Sequence, residues 1–86
     1  MLKLILEKYQ ENEILKMDGF DDAVIGYHEP SNRLIYSVKK VIDIIYNEMK
    51  NADNFTLSDA IEYFEFNIQS TYVGEFTPIL CDDFFE

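Results

Sequence analysis

The fold is decided by a stretch near the middle of the chain, SVKKVIDIIYNEM (residues 37–49), which is the clearest helix signal in the sequence. Ser37 is a good N-cap, because its hydroxyl can accept a hydrogen bond from a free N–H of the first helical turn. Apolar residues then recur at the spacing of a single buried helix face, at Val38, Val41, Ile42, Ile45 and Met49. We therefore predict a helix over residues 38–50 with this stripe in the core.

A second helix is predicted over residues 57–68. Thr56 is its N-cap, and Asp59 stands at the third helical position, which approximates a capping box. Residues 51–54 (Asn-Ala-Asp-Asn) separate the two helices, because Asn and Asp favour turns. The predicted core stripe of the second helix is Leu57, Ala60, Ile61, Phe64 and Ile68.

Before these helices, the sequence predicts a short helix and a hairpin. Residues 2–12 have helical spacing, although the apolar run Leu4–Leu6 also fits a strand. Residues 18–22 favour a turn, and residues 23–28 and 34–36 are predicted strands. The hairpin loop between them contains Pro30, which presets the backbone angle of a turn.

Two short extended segments are predicted after the second helix, at Tyr72–Val73 and at residues 78–81, because Gly74 and Pro78 break regular structure. The second of these segments can add a third strand to the hairpin. The predicted fold class is α+β: a small antiparallel sheet, made of the hairpin and a C-terminal strand, with two or three helices packed on one face.

Composition indicates a single folded domain over residues 1–86. The chain is 48% hydrophobic and 15% aromatic, too apolar for a disordered acidic segment. It has one cysteine, so an internal disulfide is excluded. No apolar run approaches the length of about 18 residues that a membrane span needs, and the start does not resemble a secretory signal. We expect a cytoplasmic protein.

Charge is distributed unevenly. The net charge is −10; residues 1–50 hold nine acids and all seven bases, whereas residues 51–86 hold eight acids and no Lys or Arg. This disfavours direct binding to nucleic acid and to anionic membranes, both of which attract Lys and Arg. It favours a basic protein partner, unless the charge serves only solubility.

Catalytic and metal-binding patterns are weak. With one histidine and one cysteine, zinc sites built from several such residues are excluded. His28 and Cys81 could form a nucleophilic pair only on neighbouring strands, and no orienting third group is evident. Asp18, Asp21 and Asp22 lack the spacing of a calcium loop, so turn and capping roles are the better interpretation. We expect no enzyme activity, no metal and no cofactor.

The acidic side of the second helix is the most informative feature for function. At about 100° per residue, Glu62 and Glu65 fall opposite the core stripe, and Tyr63 and Phe66 lie on the acidic side with them. Two interpretations remain open. Phe84 and Phe85 can fold back over these aromatics, or the aromatics can anchor a partner inside a ring of carboxylates.

The C-terminal segment, residues 81–86, has the same chemistry, with two aspartates beside two phenylalanines. It is either a free acidic tail or a segment docked on the domain, and docking is favoured because two Phe can tie it down. The predicted partner-binding residues are Asp59, Glu62, Tyr63, Glu65, Phe66, Asp82 and Asp83.

Three strings in residues 18–80 carry a resemblance: DGFD at 18–21, EYFEFN at 62–67 and YVGE at 72–75, the last followed by Thr77-Pro78. They resemble small uncharacterised proteins encoded by tailed bacteriophages. The resemblance implies a phage setting inside a host cell. In that setting, small acidic proteins often bind host proteins, and inhibitors of nucleic-acid-handling defence systems are one such class.

The leading hypothesis is a non-enzymatic, phage-type protein whose acidic C-terminal half binds a basic surface of a host protein. Inhibition of a nucleic-acid-handling or defence system is one activity that this binding could serve. One alternative is a structural or accessory module that self-associates through the acidic aromatic side. Another is a small-molecule-binding protein or minor enzyme that uses His28, Cys81 or the Asp18–Asp22 cluster.

Overall fold

The structure, a computed structural model, describes residues 1–52, 54–71 and 77–85. These residues form an α+β fold in which helix exceeds strand, as predicted. Short 3-10 turns precede β1 and join β1 to β2. In chain order, the elements are α1 (Leu2–Lys8), β1 (Val24–His28), β2 (Arg33–Ser37), α2 (Val38–Met49), α3 (Leu57–Phe64) with a π turn (Glu65–Gln69), and β3 (Ile79–Cys81).

Helix α2 follows the sequence pattern closely. The Ser37 hydroxyl accepts a hydrogen bond from the Lys40 N–H at 3.1 Å, as expected of an N-cap. Four of the five predicted stripe residues are buried, whereas Met49, at the last turn, is exposed. The prediction of this helix and of its buried face is confirmed.

Helix α1 is shorter than predicted and ends at Lys8. Leu2 and Ile5 are buried, but Leu6 is exposed. Residues 10–13 are all polar, so they offer no apolar side chain that could extend the buried face. The Gln10 side chain donates to the Glu7 carbonyl at 3.0 Å and satisfies one of the carbonyls left free at the helix end.

The sheet has the order β1-β2-β3. Strands β1 and β2 pair antiparallel around the predicted hairpin, whose loop is closed by Asn32 in the left-handed conformation (φ 54°). Strand β3 is the predicted third strand, but it pairs with β2 in parallel. The sheet is thus mixed, not antiparallel throughout as predicted. The reason is the helical connection through α2 and α3, because such a crossover returns the chain to run in the same direction.

The core forms one cluster of buried side chains drawn from the helices, from β1 and β2, and from Met17. Tyr36 on the central strand is fully buried, and its hydroxyl accepts a hydrogen bond from the Met17 N–H at 2.9 Å. Of the stripe predicted for the second helix, Ala60, Phe64 and Ile68 are buried and Ile61 is partly buried against the cluster. Leu57 is exposed, contrary to the prediction, because it lies in the first turn of the helix. Packing of the helices on one face of the sheet stays a prediction.

Two predicted features fall partly or wholly outside the described residues: the extended segment Tyr72–Val73, and Asp53 of the turn between α2 and α3. Within the described part of the chain, no helix is long and apolar enough to cross a membrane.

Candidate partner-binding surface

Helix α3 begins with the predicted capping box. The Thr56 hydroxyl accepts from the Asp59 N–H at 3.2 Å, and the Asp59 carboxylate accepts from the Thr56 N–H at 2.9 Å. These two contacts satisfy N–H groups that the first helical turn would otherwise leave free. Asp59, one of the predicted partner-binding residues, is therefore engaged inside the domain.

The two sides of α3 and its π turn differ sharply in exposure. Ala60, Phe64 and Ile68 are buried. On the other side, Phe66 is 71% exposed and Tyr63 is 41% exposed. Glu62 and Glu65 are exposed next to them. We call this set (Glu62, Tyr63, Glu65 and Phe66) the acidic aromatic face.

The π turn explains how the apolar residues of this segment stay on one side of the helix. Apolar residues at 60, 64 and 68 are spaced by four, and in an α-helix each such step overshoots a full turn by about 40°. A π turn has more residues per turn, so it reduces this drift and keeps Ile68 in the core. Helical spacing at a constant angle could not reveal this turn.

Side chains around the π turn bind back to its carbonyl groups. Asn67 donates to the Tyr63 carbonyl at 3.2 Å, and Ser70 donates to the Phe66 carbonyl at 2.7 Å. Thr71 donates to the Asn67 carbonyl at 2.9 Å. Local bonds of this kind satisfy carbonyls near a helix end. In the segment that carries the acidic aromatic face, the carbonyls of Tyr63, Phe66 and Asn67 are therefore satisfied by side chains.

The C-terminal segment is docked at its Asp83. The Asp83 carboxylate accepts from the Ser37 hydroxyl at 2.5 Å and from the Lys39 N–H at 2.9 Å. It therefore adds a second cap to the N-terminus of α2. Burial opposes ionisation of this carboxyl, but the Lys39 N–H, the Ser37 hydroxyl and the Lys39 charge outweigh it and hold the pKa of Asp83 below its ordinary value.

The phenylalanines of this segment do not cover the acidic aromatic face. Phe84 is half-buried and packs against the core near Val38 and Ile42. Phe85 is 84% exposed, and Phe66 stays open to solvent. The interpretation in which Phe84 and Phe85 fold over Phe66 is therefore wrong. Asp82 is exposed and accepts a long hydrogen bond, 3.4 Å, from the Phe84 N–H.

The predicted binding residues thus separate into two groups. The carboxylates of Asp59 and Asp83 cap helices within the domain. Glu62, Tyr63, Glu65, Phe66 and Asp82 are exposed. Among the described residues the ion pair is Lys16–Asp21, at 3.7 Å, so Glu62 and Glu65 meet no cation there. The contact between Asp83 and Ser37 was missed by sequence reasoning, because no local pattern marks a bond between residues so far apart.

The alternative chemical sites gain no support from the geometry. His28 pairs with Arg33 at one end of β2, and Cys81 pairs with Ser37 at the other end. Arg33 and Ser37 are four residue steps apart along the strand, or about 13 Å, so His28 and Cys81 are too far apart for a nucleophilic pair. In the described part of the chain, no group of three or more His, Cys, Asp or Glu side chains could hold a metal. That includes Asp18, Asp21 and Asp22.

Comparisons of the chain with protein-family models, with curated proteins and with solved structures found no match.

Proposed function

We propose that this chain is a non-enzymatic, phage-type protein that binds a basic host protein through its acidic C-terminal half. The observation that carries the proposal is Phe66, a large apolar side chain that is 71% exposed on the same helical segment as the exposed carboxylates of Glu62 and Glu65. An aromatic side chain in this position is suited to be the anchor of an interface, because such residues contribute most of the binding energy in protein complexes.

The acidic charge of the C-terminal half favours a basic partner. Residues 51–86 carry eight acids and no Lys or Arg. A field of one sign attracts a partner of the opposite sign and raises the association rate. Glu62 precedes Phe66 by four positions, so the two side chains are neighbours on the helix surface, and Glu65 is exposed on the same segment. A partner's Lys or Arg would meet these carboxylates while Phe66 enters an apolar pocket.

Inhibition follows from the same chemistry. Basic surfaces on host proteins that handle nucleic acid bind phosphate groups through Lys and Arg. A protein that presents carboxylates to those side chains competes with nucleic acid without binding nucleic acid itself. Interference with a host nucleic-acid-handling or defence system is therefore the activity we propose, in keeping with the resemblance to phage proteins.

Self-association through the acidic aromatic face is the weaker alternative. In a symmetric dimer the same patch meets itself, so Glu62 and Glu65 would face the equivalent carboxylates of the second copy. Like charges at short distance repel. A basic partner removes that repulsion, whereas a second copy adds to it.

A charge-matched experiment tests the proposal. The wild-type protein is used to capture a partner from bacterial lysate, and the captured protein is purified for affinity measurements. The variant Glu62→Lys/Glu65→Lys is then compared with Asp43→Lys/Glu48→Lys, which makes the same change of charge on exposed residues of α2. We expect the first variant to weaken binding, chiefly by slowing association, and the second to have a smaller effect.

The salt dependence of binding completes the test. A complex held by charge weakens as salt is added, whereas an apolar homo-oligomer changes much less. If both variants weaken binding equally, only the net charge matters and the acidic aromatic face is not the interface. If neither variant changes the affinity, the proposal is wrong.

A further inference from the structure

A groove lies between α2, the π turn and the C-terminal segment, next to the acidic aromatic face. Its volume is ≈ 270 Å³. Its lining includes Ile42 and Phe64, which are buried, and Leu80, which is half-buried; we call these three its floor. Phe84, also half-buried, lines it from the C-terminal segment, and we call this side chain its wall. Two exposed carboxylates also line it, Glu65 on the π turn and Asp82 on the C-terminal segment, and we call them its rim.

The wall is preformed in the free protein. Asp83 is bonded to Ser37 and to the Lys39 N–H, so the neighbouring residues Asp82 and Phe84 are held beside the N-terminus of α2. A partner side chain that enters the groove therefore does not have to order this segment. Preorganisation of this kind removes part of the entropic cost of binding.

The rim selects for a cation. No Lys or Arg is among the described residues that line the groove, and in the described chain neither Glu65 nor Asp82 forms an ion pair. An apolar floor beneath an anionic rim suits a side chain with an aliphatic stem and a charged head. Arg and Lys side chains bind in this way, with the stem on apolar surface and the head at polar groups.

Arginine fits these features better than lysine. The guanidinium group has five N–H donors in a planar fork, so it can donate to two carboxylates at once. Its plane can also stack on the ring of Phe84 or Phe64. The volume is slightly below the lower end, about 300 Å³, of ordinary small-molecule sites. It therefore suits one long side chain.

We propose that this groove binds an arginine side chain of the basic partner, held at its head by Glu65 and Asp82 and along its stem by the apolar floor. The inference rests on the proposed function, since it assigns the partner residue that enters beside the acidic aromatic face.

The test uses small probes and needs no partner. N-acetyl-arginine methylamide is titrated into the protein while the methyl signals of Ile42, Ile61 and Leu80 are followed by NMR. We expect saturable shifts at these methyls. The lysine probe should bind about threefold more weakly, which corresponds to the loss of one exposed ion-pair contact. The norleucine probe, which keeps the stem and lacks the charge, should produce no saturable shift.

Paired variants locate the binding to the rim. Glu65→Gln/Asp82→Asn should weaken the arginine probe about ninefold, as expected for two exposed ion pairs at about threefold each. Both residues are exposed, so the fold is retained, and unchanged methyl signals in the rest of the core verify this. The matched control, Glu62→Gln/Asp43→Asn, removes two exposed charges outside the groove and should change the affinity less than about twofold.

Three outcomes would overturn the inference: no saturable shift at the groove methyls, equal binding of the norleucine probe, or equal weakening by the control variant. The first means that the groove takes no side chain, the second that it is merely apolar, and the third that only net charge acts. Because the probe is independent of any partner, this result stands apart from the charge-reversal test of the proposed function.

Discussion

Helices α2 and α3 have similar patterns, an N-cap followed by an apolar stripe, yet the fold uses their outer sides differently. The outer side of α2 carries Lys39, Lys40 and Asp43, and its one aromatic residue, Tyr46, packs against Phe55 with ring centroids 6.4 Å apart. The outer side of α3 carries Tyr63 and Phe66, which remain exposed.

This difference separates residues that the fold needs from residues that it does not. Every apolar residue of α2 before its last turn is buried or half-buried. On α3 the buried side is complete without the two aromatics. Because Tyr63 and Phe66 are exposed, they add less to the folding energy than buried aromatics do, and the proposed function assigns them to the contact with a partner.

The largest effect expected from this comparison is on stability, between two phenylalanines of the same helical segment. Phe64 is 4% exposed and Phe66 is 71% exposed. Phe64→Ala should lower the free energy of unfolding by about 3–5 kcal/mol, because it leaves a core cavity. Phe66→Ala should change it by no more than about 0.5 kcal/mol. Urea denaturation measures both, and similar losses would show that the outer side of α3 belongs to the core.

The next effect is on partner binding, where the exposed Phe66, rather than the buried Phe64, is the residue expected to matter. Phe66→Ala should weaken the complex with the captured partner by about 2 kcal/mol, or about 30-fold, chiefly through faster dissociation. Leu57→Ala is the control, since Leu57 is an exposed apolar residue of α3 outside the acidic aromatic face. Affinity that survives the loss of Phe66 would remove the reason to treat this face as an interface.

A smaller effect is expected at the N-terminus of α2, which differs from α3 in having a second cap from a distant residue. Asp83→Asn should lower the stability at neutral pH by about 0.5–2 kcal/mol, the range for helix caps. The matched variant is Asp82→Asn, which changes a neighbouring exposed carboxylate that caps no helix and should leave stability unchanged.

The effect of Asp83→Asn on the free energy of unfolding has a defined pH dependence. The pKa of Asp83 is lowered in the folded protein from an ordinary value of 3.8. The stabilisation of the folded protein by the ionised Asp83 carboxylate is therefore fully present above pH 3.8. It is lost as the pH falls through the lower pKa of the folded state. The stability difference between wild type and Asp83→Asn should be constant near neutral pH and should shrink in acid. A difference that grows in acid would contradict the capping role.

The smallest effect is expected at Asp59, where the structure favours a structural role over contact with a partner. Asp59→Ala should lower the free energy of unfolding by about 0.3–1.5 kcal/mol through loss of the capping box. Partner affinity should be nearly unchanged in the same variant. A loss of affinity without a loss of stability would return Asp59 to the interface.

Predictions from local sequence were the most accurate. Ser37 and Thr56 were identified as caps, and the stripe of α2 was identified from spacing alone, because capping and amphipathic packing depend on residues within a few positions of each other. The position of Phe66 on the acidic side followed from the same spacing, but its exposure did not, because spacing left open whether Phe84 and Phe85 cover it. The direction of β3, the π turn and the bond between Asp83 and Ser37 depend on tertiary structure, which no local pattern encodes.

Ser37 has a consequence for how this chain can vary in length. It is the last residue of β2, the N-cap of α2 and the partner of Asp83 at once. Strand and helix therefore meet without a linker, and one residue inserted after Ser37 would rotate α2 by about 100° relative to the sheet. Asn51 and Ala52, between α2 and α3, are exposed, and the bonds of Ala52 are local: its N–H donates to the Met49 carbonyl and its carbonyl accepts from the Phe55 N–H. Insertions, labels and fused tags should be accepted there and rejected at Ser37.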